Sequence, residues 1–274
     1  MTLATLRDVL QPALTGGYAV AGLVCLGWED MRAYVAAAEA EGAPVILQAG
    51  PGCRAHMPLP VLAAMLRHLG EGARVPVVVH LDHGTAEECR QAVDCGFTSV
   101  MFDGSRLELA RNIAETAAVA QMAQAAAVSC EGEIGFVGYA GGVASEGTDP
   151  VEAERFARET GVDALAVSVG NLHLQQGAGG MLDEARISAI SALTRVPLVI
   201  HGGSGVPVDQ RRRLARTTTV CKFNIGTELR MAFGLALRAS VARDAGRFDR
   251  NEILREVHDP VVLATRRVVG NLMA

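Results

Sequence analysis

The sequence predicts an α/β protein, a single (β/α)8 (TIM) barrel, on three observations. Eight short β-branched or apolar runs each end in Gly, Ser, Cys or Glu. Most of the intervals between them carry apolar residues three and four apart, the period of an amphipathic helix. The chain is 274 residues long, a size that such barrels reach as one domain. Strand–helix alternation implies parallel strands joined by right-handed crossovers, and eight such units close naturally on themselves. With no linker and no low-complexity stretch, residues 1–274 are expected to form one barrel domain with a C-terminal helical extension.

In chain order, the first strand is GYAVAGLVC (17–25), followed by a helix over 28–42. PVILQAG (44–50) precedes a helix over 59–69, and PVVVHLDHG (76–84) precedes one over 85–95. Gly42, Gly70 and Gly96 are expected to stop these three helices as left-handed caps. SVMFDGS (99–105) leads to a helix over 106–126, then AVSCEGEIG (127–135). The next helix starts at TDPVEAERFARETG, with Asp149 as N-cap, Pro150 at the first helical position and Glu152 at capping-box spacing. ALAVSVG (164–170), a helix over 182–194, PLVIHGGSG (197–205), a helix over 207–217 and VCKFNIGTE (220–228) complete the barrel. Residues 228–271 are helical with a break expected near Asp259-Pro260.

Composition narrows the function. Half of the residues are hydrophobic and a fifth charged, which excludes a disordered chain. The formal net charge of −5 offers no broad basic footprint for nucleic acid. No apolar run approaches the ~20 residues of a membrane span, and the opening MTLATLRDVLQPALTGG lacks a signal-peptide layout, so a cytoplasmic protein is expected. The six cysteines show no C-x-x-C spacing and are read as reduced packing residues. One residue type is conspicuous by rarity: Lys222 is the single lysine, against 24 arginines.

The active site of such a barrel lies at the C-terminal ends of its strands. There the sequence places His80, Asp82 and His83; Asp103 and Ser105; Glu131 and Glu133; Asn171 and His173; His201; and Asn224. Four of the seven histidines thus gather at one rim with several carboxylates. Buried like charges repel unless a metal or a proton offsets them, so packing alone does not account for the set. His83, His173 and His201 come from three different strands, and three imidazoles with one open position suit a catalytic zinc. Asp82 beside them suits proton transfer. On an ideal strand Asp82 and His83 would face opposite ways; a twisted strand end is expected to let both reach the site. Gly202-Gly203-Ser204 and Asn224-Ile225-Gly226-Thr227 supply backbone N–H groups, hydroxyls and a helix N-terminus where barrels commonly hold phosphate. A Lewis acid, a proton shuttle and a phosphate cradle together suit carbon–carbon chemistry beside the carbonyl of a sugar phosphate, through an enediolate.

HLDHG (80–84), MFDGS (101–105), EGEIG (131–135), the G-x-x-H at 170–173, HGGSG (201–205) and CKFNIGTEL (221–229) resemble the class II, metal-dependent fructose- and tagatose-bisphosphate aldolases, in order from about residue 16 to about residue 240. The resemblance implies that His83, His173 and His201 hold a divalent metal, normally Zn2+. Asp82 would exchange the proton of the aldehyde-derived hydroxyl, and Asp103 and Glu133 would stand behind the ligands or hold an alternative metal position. Gly202, Gly203, Ser204, Asn224, Gly226 and Thr227 would bind the ketose 1-phosphate and the three-carbon enediolate. It also implies a homodimer or homotetramer, often with a monovalent cation near the phosphate.

The chain departs from the family pattern at Leu174, where relatives carry Gly before the loop here written QQGAGG. It departs again at Val24 in place of a substrate-touching Asn, and at Gly50 in place of Ser or Thr. In GFVGYAGGVASEG, Glu146 is the only carboxylate available as a loop base, out of the usual register. These differences imply a changed substrate rather than lost catalysis. Three rival readings stand beside an aldolase: a Schiff-base aldolase on Lys222, a metal-dependent sugar-phosphate isomerase or epimerase, and a non-catalytic accessory subunit. Lys222 is expected instead to pack low in the barrel and neutralise a buried carboxylate. Metal occupancy is expected to fall below about pH 6.5, the ordinary imidazole pKa.

Overall fold

The computed structural model describes residues 2–138, 142, 144–174, 180–244 and 246–274. A two-residue strand, β1 (Leu3–Ala4), and helix α1 (Leu6–Gly16) precede the barrel. The barrel strands are β2 (Val20–Val24), β3 (Val45–Ala49), β4 (Val77–Gly84), β5 (Ser99–Phe102), β6 (Ser129–Ile134), β7 (Ala164–Val167), β8 (Leu198–Ile200) and β9 (Val220–Ile225). All pair in parallel with their neighbours in chain order, and β2–β9 pairing closes the ring. The fold is therefore the predicted TIM barrel. Several predicted strands overran at their C-terminal ends: 103–105, 168–170 and 201–205 have already left the ladder to form the rim.

The outer layer is α2 (Trp28–Glu41), α3 (Pro51–His56), α4 (Leu59–Gly72), α5 (Ala86–Asp94), α6 (Leu109–Ala125), α7 (Pro150–Thr160), α8 (Glu184–Leu193), α9 (Val208–Thr217), α10 (Thr227–Arg243) and α11 (Arg250–Met273). Local chemistry sets their ends. Thr85 and Glu88 form a reciprocal capping box on α5, and the Asp149 carboxylate accepts from the Val151 and Glu152 N–H groups at the start of α7. Gly42 ends α2 in the left-handed conformation, as expected. Gly70 does not end a helix. It lies inside α4, where a Cβ would stand 2.5 Å from Leu3 Cδ2, so its smallness admits β1 rather than a turn.

The break in the C-terminal helix also lies elsewhere than expected, between the end of α10 at Arg243 and the start of α11 at Arg250. Asp249 caps α11 by accepting from Asn251 and Glu252 N–H, and the helix then runs through Pro260. An interior proline costs about 3 kcal/mol. Burial of Val257, Val261, Thr265, Val268, Val269 and Leu272 offsets it, as α11 lies against α2 and α10.

The barrel interior is layered. Its lower end is apolar, and α1 plugs it with Leu6, Val9, Leu10 and Ala13 against Val20, Ile46, Val78, Met101, Ala164, Ala166, Val199 and Cys221. Above this floor the inward-facing residues become polar: Gln48, His80, Glu131 and Lys222, all fully buried. The site stands on that layer.

Candidate active site

A cavity of about 390 Å³ opens at the C-terminal end of the barrel. Asp82, His83, Asp103, His173, Gly202, Ser204, Asn224, Gly226 and Thr227 line it, with Val24, Leu26, Leu174, Arg230 and the 50–53 segment. His201, Glu133 and Gly203 do not line it and are buried.

The end of β4 shows how Asp82 and His83 reach the cavity together. The register of β4 against β5 shifts between Leu81 and Gly84, and His83 adopts φ +52°. A left-handed residue breaks the alternation of a strand, so two neighbours turn to one side. For a residue other than Gly this conformation costs of order 1–2 kcal/mol and persists only where its surroundings enforce it.

Three imidazoles converge. The ring centroids are 4.7 Å apart for His83 and His201, 5.4 Å for His83 and His173, and 5.8 Å for His173 and His201. One ring nitrogen from each lies within 4.8 Å of the others, and a second group, His83, Asp103 and Glu133, meets the same limit. The tautomers follow from the partners. His201 Nε2 lies 3.2 Å from Glu131 Oε1, and a carboxylate only accepts, so Nε2 carries the proton. His201 Nδ1 then presents a lone pair, and it is buried with no hydrogen-bond partner, as is Glu133 Oε2. His83 Nδ1 is 2.7 Å from Asp103 Oδ2, which leaves its Nε2 as the atom that could hold a metal. The His201 Nδ1 lone pair, 3.9 Å from Glu133 Oε2 and close to the other two imidazoles, fits a divalent cation, with Asp103 and Glu131 fixing the imidazoles from behind.

A buried ion pair supports this arrangement from below. Lys222 Nζ lies 2.6 Å from Glu131 Oε2 and 3.4 Å from His80 Nε2, and His80 Nδ1 lies 2.8 Å from Ser99 Oγ. Lys222 thus packs low in the barrel against a carboxylate, as expected, and is not among the residues that line the cavity. Glu131 thereby joins Lys222 below to His201 above.

Burial lowers the His201 pKa, and lowers that of His173 to about 4, each assisted by the neighbouring His83 charge. Burial would lower His83 too, but Asp82, the hydrogen bond to Asp103 and Glu133 together raise it to about 10. Burial would raise Asp103, yet His83 holds it well below the usual carboxylate range. Burial raises Glu133 to about 8 against the pull of His83. The ordinary imidazole pKa therefore does not govern the site: His173 and His201 stay neutral well below pH 6.5, and a proton on His83 occupies the cluster. That raised pKa contributes stability present below about pH 6.5 and lost as the pH climbs through about 10. A divalent metal held by these nitrogens would have to displace this proton, so its apparent affinity would rise with pH, up to about tenfold per unit, across the neutral range. Calorimetric titration at pH 7 in buffers of differing ionisation heat should show about one proton released per metal. No release would contradict the assignment.

The turn where the sequence suggests a phosphate cradle is built from glycine geometry. Gly202 has φ +65°, and a Cβ there would run into the Leu172 carbonyl, so only glycine lets the His173 segment approach. Gly203–Gly205 form one 3₁₀ turn. The Ser204 hydroxyl accepts from Gly226 N–H at 3.2 Å and from Glu228 N–H at 3.4 Å, tying the turn to the N-terminus of α10. Buried Arg211 braces the turn from beneath, donating to the Val206 and Ser204 carbonyls. Thr227 opens α10, whose positive dipole end faces the cavity, and Arg230 follows one turn later. Asn224 Nδ2 donates to Asp82 Oδ1 at 3.4 Å, linking the cradle to the carboxylate.

Glu146 does not join this assembly. Its backbone pairs with Phe136 in an isolated antiparallel bridge at the foot of the loop, and its side chain is exposed and not among the residues lining the cavity. Much of the QQGAGG loop (175–179) and positions 139–141 and 143 of the other loop lie outside the described residues. The three departures from pattern, Val24, Gly50 and Leu174, all line the cavity.

The family model for class II fructose-bisphosphate aldolase matches residues 4–273. A fructose-bisphosphate aldolase of Geobacillus stearothermophilus is 37% identical over 269 residues, covering 95% of this chain and 93% of that protein. A 6-phospho-5-dehydro-2-deoxy-D-gluconate aldolase of Bacillus subtilis is 39% identical over 242 residues, covering 85% and 82%. The crystal structure of the YdjI aldolase from Escherichia coli K12 superimposes with a TM-score of 0.86 at 28% identity, covering 98% and 97%.

Proposed function

The chain belongs to the class II fructose-bisphosphate aldolase family, and on that premise we propose that it cleaves a ketose 1-phosphate or ketose bisphosphate reversibly to dihydroxyacetone phosphate and an aldehyde, using Zn2+ at His83, His173 and His201. The observation that carries the reading is the buried, unpartnered His201 Nδ1 facing two further imidazoles beside Asp82. A divalent metal held there supplies Lewis acidity to the oxygens flanking the bond that breaks. The protein does the rest. The 202–204 turn, Gly226 and Thr227 hold the phosphate, and Asn224 orients the three-carbon half. Asp82 takes the proton from the hydroxyl that becomes the aldehyde and returns it in the reverse direction. Asp103 and Glu131 keep their imidazoles in the ligand tautomer. Val24, Leu26 and Leu174 give the cavity an apolar stretch of wall, which favours a substrate with fewer hydroxyls.

Elemental analysis of the purified protein should find about one zinc per chain, lost after EDTA treatment and in His201→Ala. A substrate screen, read by release of dihydroxyacetone phosphate, should include fructose 1,6-bisphosphate and 6-phospho-5-dehydro-2-deoxy-D-gluconate, the substrates that two relatives' names indicate. Cleavage that vanishes with EDTA supports the proposal. Absence of metal uptake, or isomerisation without release of a triose phosphate, would overturn it.

A further inference from the structure

We propose that Arg54 is a positioning residue: it holds the end of β4 in the conformation that turns Asp82 and His83 into the same cavity. The inference rests on the proposed metal site only for its functional consequence, since the clamp itself is a matter of backbone geometry. Arg54 lies on the short helix α3, with its side chain 9% exposed. Its Nη1 donates to the Ala49 carbonyl and to the Asp82 carbonyl, both at 2.7 Å, and its Nη2 donates to the His83 carbonyl at 2.8 Å. Its Nε reaches Glu88 Oε1 at 3.1 Å, across to α5. One guanidinium therefore joins the last residue of β3 to the main chain of two successive site residues.

The location explains the need. The β3–β4 register ends at Ala49 and Leu81, and the β4–β5 register shifts between Leu81 and Gly84. The Asp82 and His83 carbonyls stand where both ladders lapse. A buried carbonyl left unpaired costs about 1–3 kcal/mol. His83 must in addition hold φ +52°, a conformation that relaxes unless it is pinned. A planar fork with several fixed donors can satisfy three carbonyls at once; a lysine ammonium at the same place lacks that geometry. Relaxation of His83 toward an extended strand would rotate its ring away from His201 and restore the alternation that separates it from Asp82.

The test compares Arg54→Met, Arg54→Lys and Glu88→Gln with the parent protein. The backbone and Cβ chemical shifts of His83 in the metal-free protein report its left-handed φ, and zinc affinity comes from competition with a chelator. Arg54→Met should move the His83 shifts toward extended values and weaken zinc binding about 10–100-fold, the usual loss when a group orienting a ligand is removed. Arg54→Lys should recover part of both. Glu88→Gln keeps all three carbonyl bonds and should leave both unchanged. Parent-like shifts and affinity in Arg54→Met would overturn the proposal. So would equal losses in Glu88→Gln that track lowered urea midpoints, since Arg54 would then merely anchor α3 to α5. If Arg54→Met does not fold, Arg54→Lys carries the same comparison. If the parent protein binds no zinc, the proposed function fails and the His83 shifts alone decide the clamp.

Discussion

Asp82→Asn should lower kcat by about 10²–10⁴-fold, the usual worth of a positioned general base, while metal content and fold stay at parent values. The substitution keeps the shape of the side chain and removes only its capacity to accept and return a proton. Asp82 is 5% exposed, so solvent cannot readily take over the transfer. One oxygen faces the Asn224 amide at 3.4 Å and the other lies beside Gly50. An amide can sit in that frame, so KM should change much less than kcat. Steady-state kinetics on the substrate found by screening, with elemental analysis of the same sample, checks this. A kcat within fivefold of the parent would remove Asp82 from the proton-transfer role.

Lys222→Met should destabilise the metal-free protein by about 3–5 kcal/mol, because it strands the Glu131 carboxylate in the barrel interior. Both partners are fully buried. The remaining neighbours of Glu131, His80 at 3.7 Å and His201 at 3.2 Å, have pKa values lowered by burial and bring no compensating charge at neutral pH. The double variant Lys222→Met/Glu131→Gln should recover a large part of the loss, since the stranded charge is then gone. Urea unfolding of the EDTA-treated proteins measures both. A loss below about 1 kcal/mol in the single variant would mean that the pair is not the counter-charge for this layer. The same burial keeps Lys222 from serving as a Schiff-base amine at the cavity surface.

Much of the architecture was legible because periodicity is a local signal. The eight strands and the helices from 28 onward carry their own pattern and caps, as Thr85, Asp149 and Gly42 show. Helix α1 was equally readable in principle. Its Thr5–Asp8 capping box and its Leu6, Val9, Leu10 and Ala13 face are in the sequence, yet nothing local says that this face plugs a barrel. The histidines could be gathered once a barrel was assumed, because the fold places every strand end at one rim.

What the sequence by itself determined was the alternation of elements, the barrel, and the residue types available at its rim. The tertiary structure decided which of those residues meet and in what protonation state. Lys222 and Glu131 lie 91 positions apart, and Asn224 and Asp82 lie 142 apart, so no window along the chain contains either pair. Glu146 was a carboxylate in the right loop, but a two-residue bridge to Phe136 leaves it at the loop's foot. Nothing local in the sequence marks Arg54; three carbonyls from two strands converge on it only in the folded barrel. Periodicity records which face of an element is buried; hydrogen bonds, ion pairs and pKa shifts depend on distances of a few ångströms, set only when distant elements close on one another.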